Sequence, residues 1–528
     1  VLTTEVEMLP ILRDEAKEKR ALLRAVDRSR VQAIGQDLLD RMPHDEHPEN
    51  LALVAAVASE LGVDTEEALI LMGDHVVSDI GSLATSEPVR HLGRSVRFTN
   101  AMSANHKAGF LASWRRSGLA TADPQGKPDH YVVTVVNNRR DRVARSKAFA
   151  SILVENIQAH RHVLMGTNVQ GLLRYIESAL DNHLSQIHLE EDPRGLQKSL
   201  NQIRRKLCIV SPGMLLRSTA RRLGLDIQTT IEVAKSLDSA LSHPPATPIT
   251  LEEAATYLQD LEPDLVRLAQ TASGSAFHDE LDRRQGIQEL PQHWFVAAQE
   301  GLAFAALAQF CSHVDDPEAR NEAARTLMRE IFLSHLLVLD NPEPLGEQIT
   351  RFVVESCPAG AQVHAVGTQN IGGAGLAFAR DWAHGAGLTH RTRELKNPDT
   401  RAAALAEIAQ TTRGGLPFFQ EALAQVSELP DSPESLKASE HLESQIADRR
   451  ATVVLGHLPI SLTTRIVSFL KLPFSPLAAI HRQRKSDRIW ADLAQHRISV
   501  PRAARELAQL EPNTLEEPVL QMERGGLL

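Results

Sequence analysis

The sequence predicts an α/β protein: an open parallel sheet, interrupted by a large all-α insertion and followed by an α-helical tail. Three observations predict it. Two runs rich in β-branched residues, 96–99 (VRFT) and 131–136 (YVVTVV), each end in a polar burst that leads into helical spacing. A third run, 162–165 (HVLM), passes through a glycine-bearing turn into GTNVQGLLRYIESAL. After a long helical stretch the same strand, glycine turn and helix return at 361–382, AQVHAVGTQNIGGAGLAFARDW. The economical reading is one sheet whose last strand follows the helical detour, the detour being separable from it.

Residues 1–92 alternate strand-like and helical pieces. VLTTEV at 1–6 reads as a strand, 13–24 as a charged helix and RMPHDEHPEN at 41–50 as a polar loop. From Asn50, NLALVAAVASELGV is an alanine-rich helix stopped at Gly62, and DTEE at 64–67 is a capping box opening the next. Residues 182–354 read as helical, with a capping box in TLEE at 250–253 and a cap plus first-turn proline at Asp316 and Pro317. From 386 to the end the chain is helical and polar, except for an apolar and basic piece at 453–485.

At 528 residues several domains are expected. A formal net charge of -10 argues against a general nucleic-acid binder. Cys208, Cys311 and Cys357 are odd in number and far apart, which suits a reducing compartment and no cysteine metal site. No uninterrupted apolar run looks long enough to span a bilayer and no signal pattern opens the chain, so a cytoplasmic protein is expected. The start at Val1, inside an apparent strand, leads to the expectation that a front portion lies elsewhere, cut away or on another polypeptide.

Chemistry in an open α/β sheet gathers beyond the carboxyl ends of its strands, so Asn100, Asn105 and His106 should share a rim with residues 137–145 (NNRRDRVAR). Guanidinium groups there suit a carboxylate or phosphate ligand. Each feature also has a plainer reading. The arginines can be surface pairs around a first-turn Asp141, and the asparagines can be helix caps. His44, Asp45, Glu46 and His47 have ligand chemistry without a common metal spacing. The turns GTNVQG and GTQNIGGAG lack the following acid of a dinucleotide site.

Four segments carry a family resemblance: HPENLALVAAVASELGVDTEEAL (47–69), FTNAMSANH (98–106), VVNNRRDRVARSKAF (135–149) and AVGTQNIGGAG (365–375). In order and placement they resemble the Mur-ligase superfamily, most closely the ligase component of poly-γ-glutamate (capsule) synthesis. The resemblance implies that 1–92 is the C-terminal portion of a Mur-type central ATPase domain. Residues 93–181 and 355–385 would form a Rossmann-like C-terminal ligase domain, 182–354 a helical insertion and 386–528 a helical extension. Such enzymes use ATP and Mg to turn a carboxylate into an acyl phosphate that an amine attacks.

Carried over by position, Arg140, Arg142 and Arg145 would be the cationic clamp, and Asn105, His106, Asn138 and Asp141 would bind substrate. Asn50 and Asn100 would lie against the nucleotide, with Gly367, Asn370 and Gly372 in the closing turn. No resident metal ligands are implied in this chain. The implied partners are glutamate and poly-γ-glutamate, with a homo-oligomer expected. A membrane-embedded synthase partner and a peripheral position at the inner face of the cell membrane are left open. Departures are clear: His106 stands where the family has an acid, 107–110 lacks the expected Pro and Ser, and no G-x-x-x-x-G-K-[ST] occurs. This chain alone is therefore expected to be inactive, its P-loop supplied from upstream. The alternatives are a non-catalytic scaffold with a degenerate ligase fold, and a folate-type polyglutamylating ligase.

Overall fold

The computed structural model describes residues 2–455, apart from 5, 7, 43, 45, 77, 78, 105 and 342, with side chains described through 450. The beginning of the chain forms β1 (Leu2–Thr3), α1 (Leu9–Glu18), β2 (Arg24–Ala25), α2 (Arg28–Gln32), α3 (Gln36–Asp40), α4 (Pro48–Glu60) and α5 (Thr65–His75). Among the described residues of the expected VLTTEV strand, Leu2 and Thr3 pair in parallel with Arg24 and Ala25. The local core is small: Val26, Ala52 and Ala56 pack with Leu2, Val31, Ile34 and Leu53. The Asp64 carboxylate accepts from the Glu67 amide at 2.8 Å, so the DTEE segment caps α5 with one half of the expected capping box.

The large sheet holds β3 (Ala84–Thr85), β4 (Val89–His91), β5 (Arg94–Asn100), β6 (His130–Asn138), β7 (Arg161–Gly166), β8 (Leu336–Val338) and β9 (Gln362–Thr368). Its order is β3-β5-β9-β6-β7-β8, with β4 also on β5. Strands β5, β9, β6, β7 and β8 run parallel, while β3 and β4 are antiparallel to β5. The late strand β9 lies at the centre, with Val363 beside Val96 on one side and Tyr131 on the other. Central parallel strands bury both faces, which explains why β6 reads YVVTVV without alternation and is buried from Tyr131 onward.

Each central strand feeds a helix: β5 leads to α6 (Lys107–Arg116), β6 to α7 (Val143–Ser151), β7 to α8 (Val169–Leu184) and β9 to α18 (Ala374–Glu394). All four helices therefore start near the carboxyl edge of the sheet. In α8 the buried Leu172, Leu173, Ile176, Leu180 and Leu184 form the stripe that seats it on the core.

Between β7 and β8 lie α8 and then α9 (Pro193–Lys206), α10 (Pro212–Leu223), α11 (Ile227–Ser242), α12 (Leu251–Leu258), α13 (Glu262–Ala269), α14 (Glu280–Gln288), α15 (Leu290–His313) and α16 (Pro317–Ser334). The Thr250 and Glu253 capping box forms in both directions, and Asp316 accepts from the Glu318 amide ahead of a first-turn proline. Contrary to the expected all-α insertion, Leu336–Val338 is a strand on the edge of the sheet, and α17 (Gly346–Glu355) leads back to β9. Three apolar residues following a helical period cannot be told from one more turn of helix. Glu280–His313 is long and apolar enough by composition to cross a membrane, against the reading that no run is. Yet 67% of its apolar window is buried in the protein, as the central helix of a bundle requires.

The helical block is not a detachable ornament. It closes over the amino edge of the sheet, where the buried Arg94 donates to Leu92 O at 2.6 Å, Gly286 O at 3.1 Å and Cys357 O at 2.6 Å. Arg222 pairs with Asp129 at 2.7 Å, Lys206 donates to Ile157 O at 2.7 Å, and His335 meets Glu300 at 3.0 Å. After α18 come α19 (Pro398–Ile408), α20 (Leu416–Ser427) and α21 (Pro433–Leu455). Beyond Leu455, the apolar and basic piece at 453–485 lies outside the described residues.

Candidate functional site

The carboxyl edge is built from the ends of three adjacent strands. Val136 registers with Thr368 and Asn138 with Gly166, so the turns after β9, β6 and β7 lie side by side. A side-chain lattice locks them together. Asn137 Nδ2 donates to Asn370 O at 2.8 Å and Gly372 O at 2.7 Å, and Asn370 Nδ2 returns a bond to Asn137 O at 3.0 Å. Asn138 Nδ2 donates to Thr167 O at 2.8 Å and Asn168 O at 3.0 Å. Its Oδ1 accepts from Ser146 Oγ at 2.7 Å and Gln369 Nε2 at 2.8 Å.

This lattice has a backbone cost. Gln369 sits at φ 77° and Asn168 at φ 58°, both in the left-handed region. Gly166, at φ 92°, leaves no room for a side chain, since a Cβ there would stand 2.3 Å from Asn138 O. Strain held by a dense bond network at strand ends is the pattern of a pre-set site.

On this frame stand the arginines. Arg145 is partly buried; its Nη1 donates to Gln369 O at 3.0 Å and Asn370 Oδ1 at 2.6 Å, tying α7 to the turn after β9. Burial, then the charges of Arg142 and Arg139, lower its guanidinium below the ordinary value. Arg139 grips Asp141 with two bonds, 3.0 and 2.8 Å, and Arg142 Nε lies 3.5 Å from the same carboxylate. Desolvation raises the Asp141 carboxyl, and the hydrogen bond and charge of Arg139 overcome it, leaving the group below its usual range. The Arg140 amide donates to Thr167 Oγ1 at 2.9 Å, fixing the start of the arginine run against the turn after β7. The guanidinium groups of Arg139, Arg142 and Arg145 thus surround one carboxylate beside the N-termini of α7, α8 and α18, where the helix dipoles add to the positive field. Such an edge can hold an anion and stabilise charge developing on it.

The sequence-derived residues divide sharply. Arg140, Arg142, Arg145, Asp141, Asn138 and Asn370 come together, as does Arg139, which the sequence placed on the rim without a separate role. Asn138 and Asn370 are 1% and 3% exposed, with their polar atoms given to neighbouring loops, so they shape the rim from beneath. Asn100 likewise holds Ile80 O at 2.6 Å and receives the Met102 amide at 3.3 Å; it does not cap α6, whose N-cap is His106. His106 is exposed there and makes no side-chain cap, while Asn105 lies outside the described residues. Gly367 is required by packing: a Cβ would stand 2.6 Å from Met102 Cε. A Cβ on Gly372 would stand 3.5 Å from Arg139 Nη1.

Asn50 sits on α4 and donates to Glu46 at 2.7 Å, with His44 on the other oxygen of Glu46 at 2.9 Å. Asp45 lies outside the described residues. Among the described residues no three His, Cys, Asp or Glu side chains gather to hold a metal. Asn137 and Arg139 were expected on the rim without a role of their own, and Ser146, Thr167 and Gln369 were missed by sequence reasoning. The doubled Asn and doubled Arg in VVNNRRDR had marked the first two.

Residues 86–216 match the family model described as the poly-gamma-glutamate synthase CapB C-terminal domain. The match begins before β4 and ends inside α10, so it takes in the rim after β6 and β7 and the first part of the helical block. The chain is 26% identical over 180 residues to the PGA synthase CapB of Bacillus subtilis, covering 34% of this chain and 42% of that protein. It is 27% identical over 167 residues to the capsule biosynthesis protein CapB of Bacillus anthracis, covering 31% of this chain and 34% of that one. The chain thus spans well under half the length of the curated relatives it matches. No solved structure matches it. The likeness to the C-terminal part of a poly-γ-glutamate synthase ligase component is shown over these residues; the wider likeness to Mur ligases rests on the motifs.

Proposed function

We propose that this chain supplies the amino-acid-binding half of an ATP-dependent amide ligase that adds glutamate to a poly-γ-glutamate chain. The observation that carries the reading is the group Arg139, Arg140, Arg142 and Arg145, set by an asparagine lattice at the ends of parallel strands inside the segment that resembles the CapB C-terminal domain. Glutamate brings two carboxylates and the growing chain brings many, which fits a rim so rich in guanidinium groups. Arg145, anchored to Gln369 and Asn370, would orient the incoming amino acid. Arg142, more exposed, would reach the acyl group across the cleft. ATP, when bound, supplies the phosphoryl group that activates the acceptor carboxylate; the donor set on the rim fits its charge. The phosphate-cradling loop is assigned to protein outside these residues, since no G-x-x-x-x-G-K-[ST] occurs among the 528.

Activation of a carboxylate by ATP places the protein in the cytoplasm in this reading, and three buried free cysteines are compatible with that. A membrane-embedded synthase partner at the inner face of the membrane and self-association would follow from the same role. The test is amide hydrogen exchange: glutamate with nucleotide should protect residues 137–145 and the turn at 166–168. Protection elsewhere with none at this rim would overturn the assignment. A second reading, a non-catalytic scaffold, is favoured by the missing P-loop motif alone. It gains if a P-loop-bearing polypeptide added to this chain restores no amide formation.

A further inference from the structure

We propose that a basic groove along the C-terminal half of α18 is a second binding site, one that holds the carboxylates of a γ-linked glutamate chain as it leaves the rim. The choice of ligand rests on the ligase reading above. The groove is an open concavity of about 460 Å³ between α18, the end of α19 and the loop before α20, lined among others by His384, His390, Arg391, Glu407 and Arg413. That volume is in the range of small-molecule sites. It is large enough for a few residues of a flexible chain.

Part of its charge is left unmatched. No described residue makes an ion pair or a side-chain hydrogen bond with His384 or Arg413. Burial, and then the nearby charges of Arg413 and Arg380, lower the His384 imidazole below its usual value, which reports a positive field across the groove. Arg391 is held by Glu394 at 3.0 Å and Glu407 at 2.6 Å and forms a fixed wall. The opposite wall is pinned from behind. His441 bonds Thr411 O at 2.8 Å, and Arg449, stacked 4.4 Å from the Phe419 ring centroid, donates to Thr412 O at 2.8 Å. Between the walls lies Gly387, where a Cβ would meet nothing within 4 Å, so the floor is open to a ligand.

The mixture of groups selects among anions. Arg413 and the imidazoles can take carboxylates, whereas Glu407 and the Gln410 amide can accept from or donate to peptide groups. A γ-linked glutamate chain offers both at every residue. A compact phosphate has no peptide N–H and no run of carboxylates along which to meet both walls. Position completes the case: at 1.5 Å per residue, the groove at 384–391 begins roughly 15–25 Å along α18 from its start at the rim. A product longer than that span would touch both places, and a ligase that keeps hold of its product can extend it again before release.

The smaller concavity beyond His390, lined by Ser86, Glu87 and Arg393, is closed by the Glu87–Arg393 pair at 3.2 Å and carries no such role.

The experiment is binding of a fluorescently labelled γ-linked glutamate oligomer to the full chain and to the double variant Arg413→Ala, His384→Ala, with a thermal melt of each. Neither side chain has a partner to lose, so the melt should be unchanged, and affinity should fall roughly tenfold or more. Arg413→Lys, which keeps the charge, should recover part of it. Equal affinity in wild type and double variant would overturn the groove. If the double variant loses oligomer affinity while glutamate with nucleotide fails to protect residues 137–145, the chain-binding groove stands and the ligase reading falls.

Discussion

The two edges of the central sheet are made from the same strands and are opposites in every physical respect. At the amino edge the titratable groups are buried, neutral or locked: Arg94 is 2% exposed with all its bonds to carbonyls, and His91, His160, His162 and His293 lie at 3% or less. At the carboxyl edge the ionisable groups stand out over a buried amide lattice, with the Arg139, Asp141 and Arg142 side chains 42%, 56% and 50% exposed. The helical block covers the first edge and leaves the second to ligands. Its bulk is therefore a stabiliser of the sheet, and the proposed site lies where it does not reach.

The sharpest way to break this contrast is at Arg94. Burial pushes its guanidinium down to about 10, still far above neutral pH, so it stays charged in the interior. Arg94→Ala would leave the carbonyls of Leu92, Gly286 and Cys357 without that donor in a site closed to water. A loss of about 3–5 kcal/mol in unfolding free energy is expected, read from urea denaturation. A loss under about 1 kcal/mol would mean that the helical block is only loosely seated on the sheet.

Acid should also act at the amino edge first. Burial lowers His162 to about 3 and His91 to about 4, and puts His160 and His293 well below their ordinary value. A histidine with a depressed folded-state pKa favours folding above the unfolded value near 6.5, and that contribution is lost as pH falls towards the folded value. His91 Nδ1 has no hydrogen-bond partner, and His160 Nδ1 already accepts from the Val132 amide at 3.1 Å, so neither ring is placed to hold a second proton. Between pH 6.5 and about 4, stability should drop by up to about 1.4 kcal/mol per pH unit for each such histidine. Glu347 and Asp381, raised by burial to about 7 and about 6, pull the other way, since they gain protons on folding. Urea midpoints from pH 7.5 to 4.5 should therefore fall, with net proton uptake on unfolding. A flat profile would refute buried neutral histidines as the feature of this edge.

How much of this was legible in the sequence follows the same division. Strands β5, β6, β7 and β9 showed themselves because buried parallel strands need unbroken β-branched runs, and the recurring glycine turn joined the last to the first three across the helical detour. The clustered arginines were legible because charge at a strand end has few other uses. The amino edge was not. Arg94, Glu300 and His335 are far apart in the chain, and nothing in their local pattern says that they are buried together. Asn138, Asn370 and Asn100 were seen but cast as ligand contacts. A side-chain amide that serves a ligand and one that serves a neighbouring loop have the same letter, and only the partner distances separate them.

The smallest expected effect on stability, and the most telling for function, is at Arg142. Its side chain is half exposed and shares Asp141 with Arg139, which makes the better bonds, so removing it leaves no buried group unpaired. Exposed pairs of this kind are worth little, and Arg142→Ala should change unfolding free energy by less than about 0.5 kcal/mol. If the guanidinium stabilises charge on a transferring acyl group, amide formation by the ligase assembled with its P-loop-bearing portion should nevertheless fall about a hundredfold. The pairing of a silent melt with a large rate loss distinguishes a rim that acts on ligands from one that holds the fold. Unchanged turnover would place Arg142 among the ordinary surface charges, and a large loss of stability would make the carboxyl edge resemble the amino edge after all.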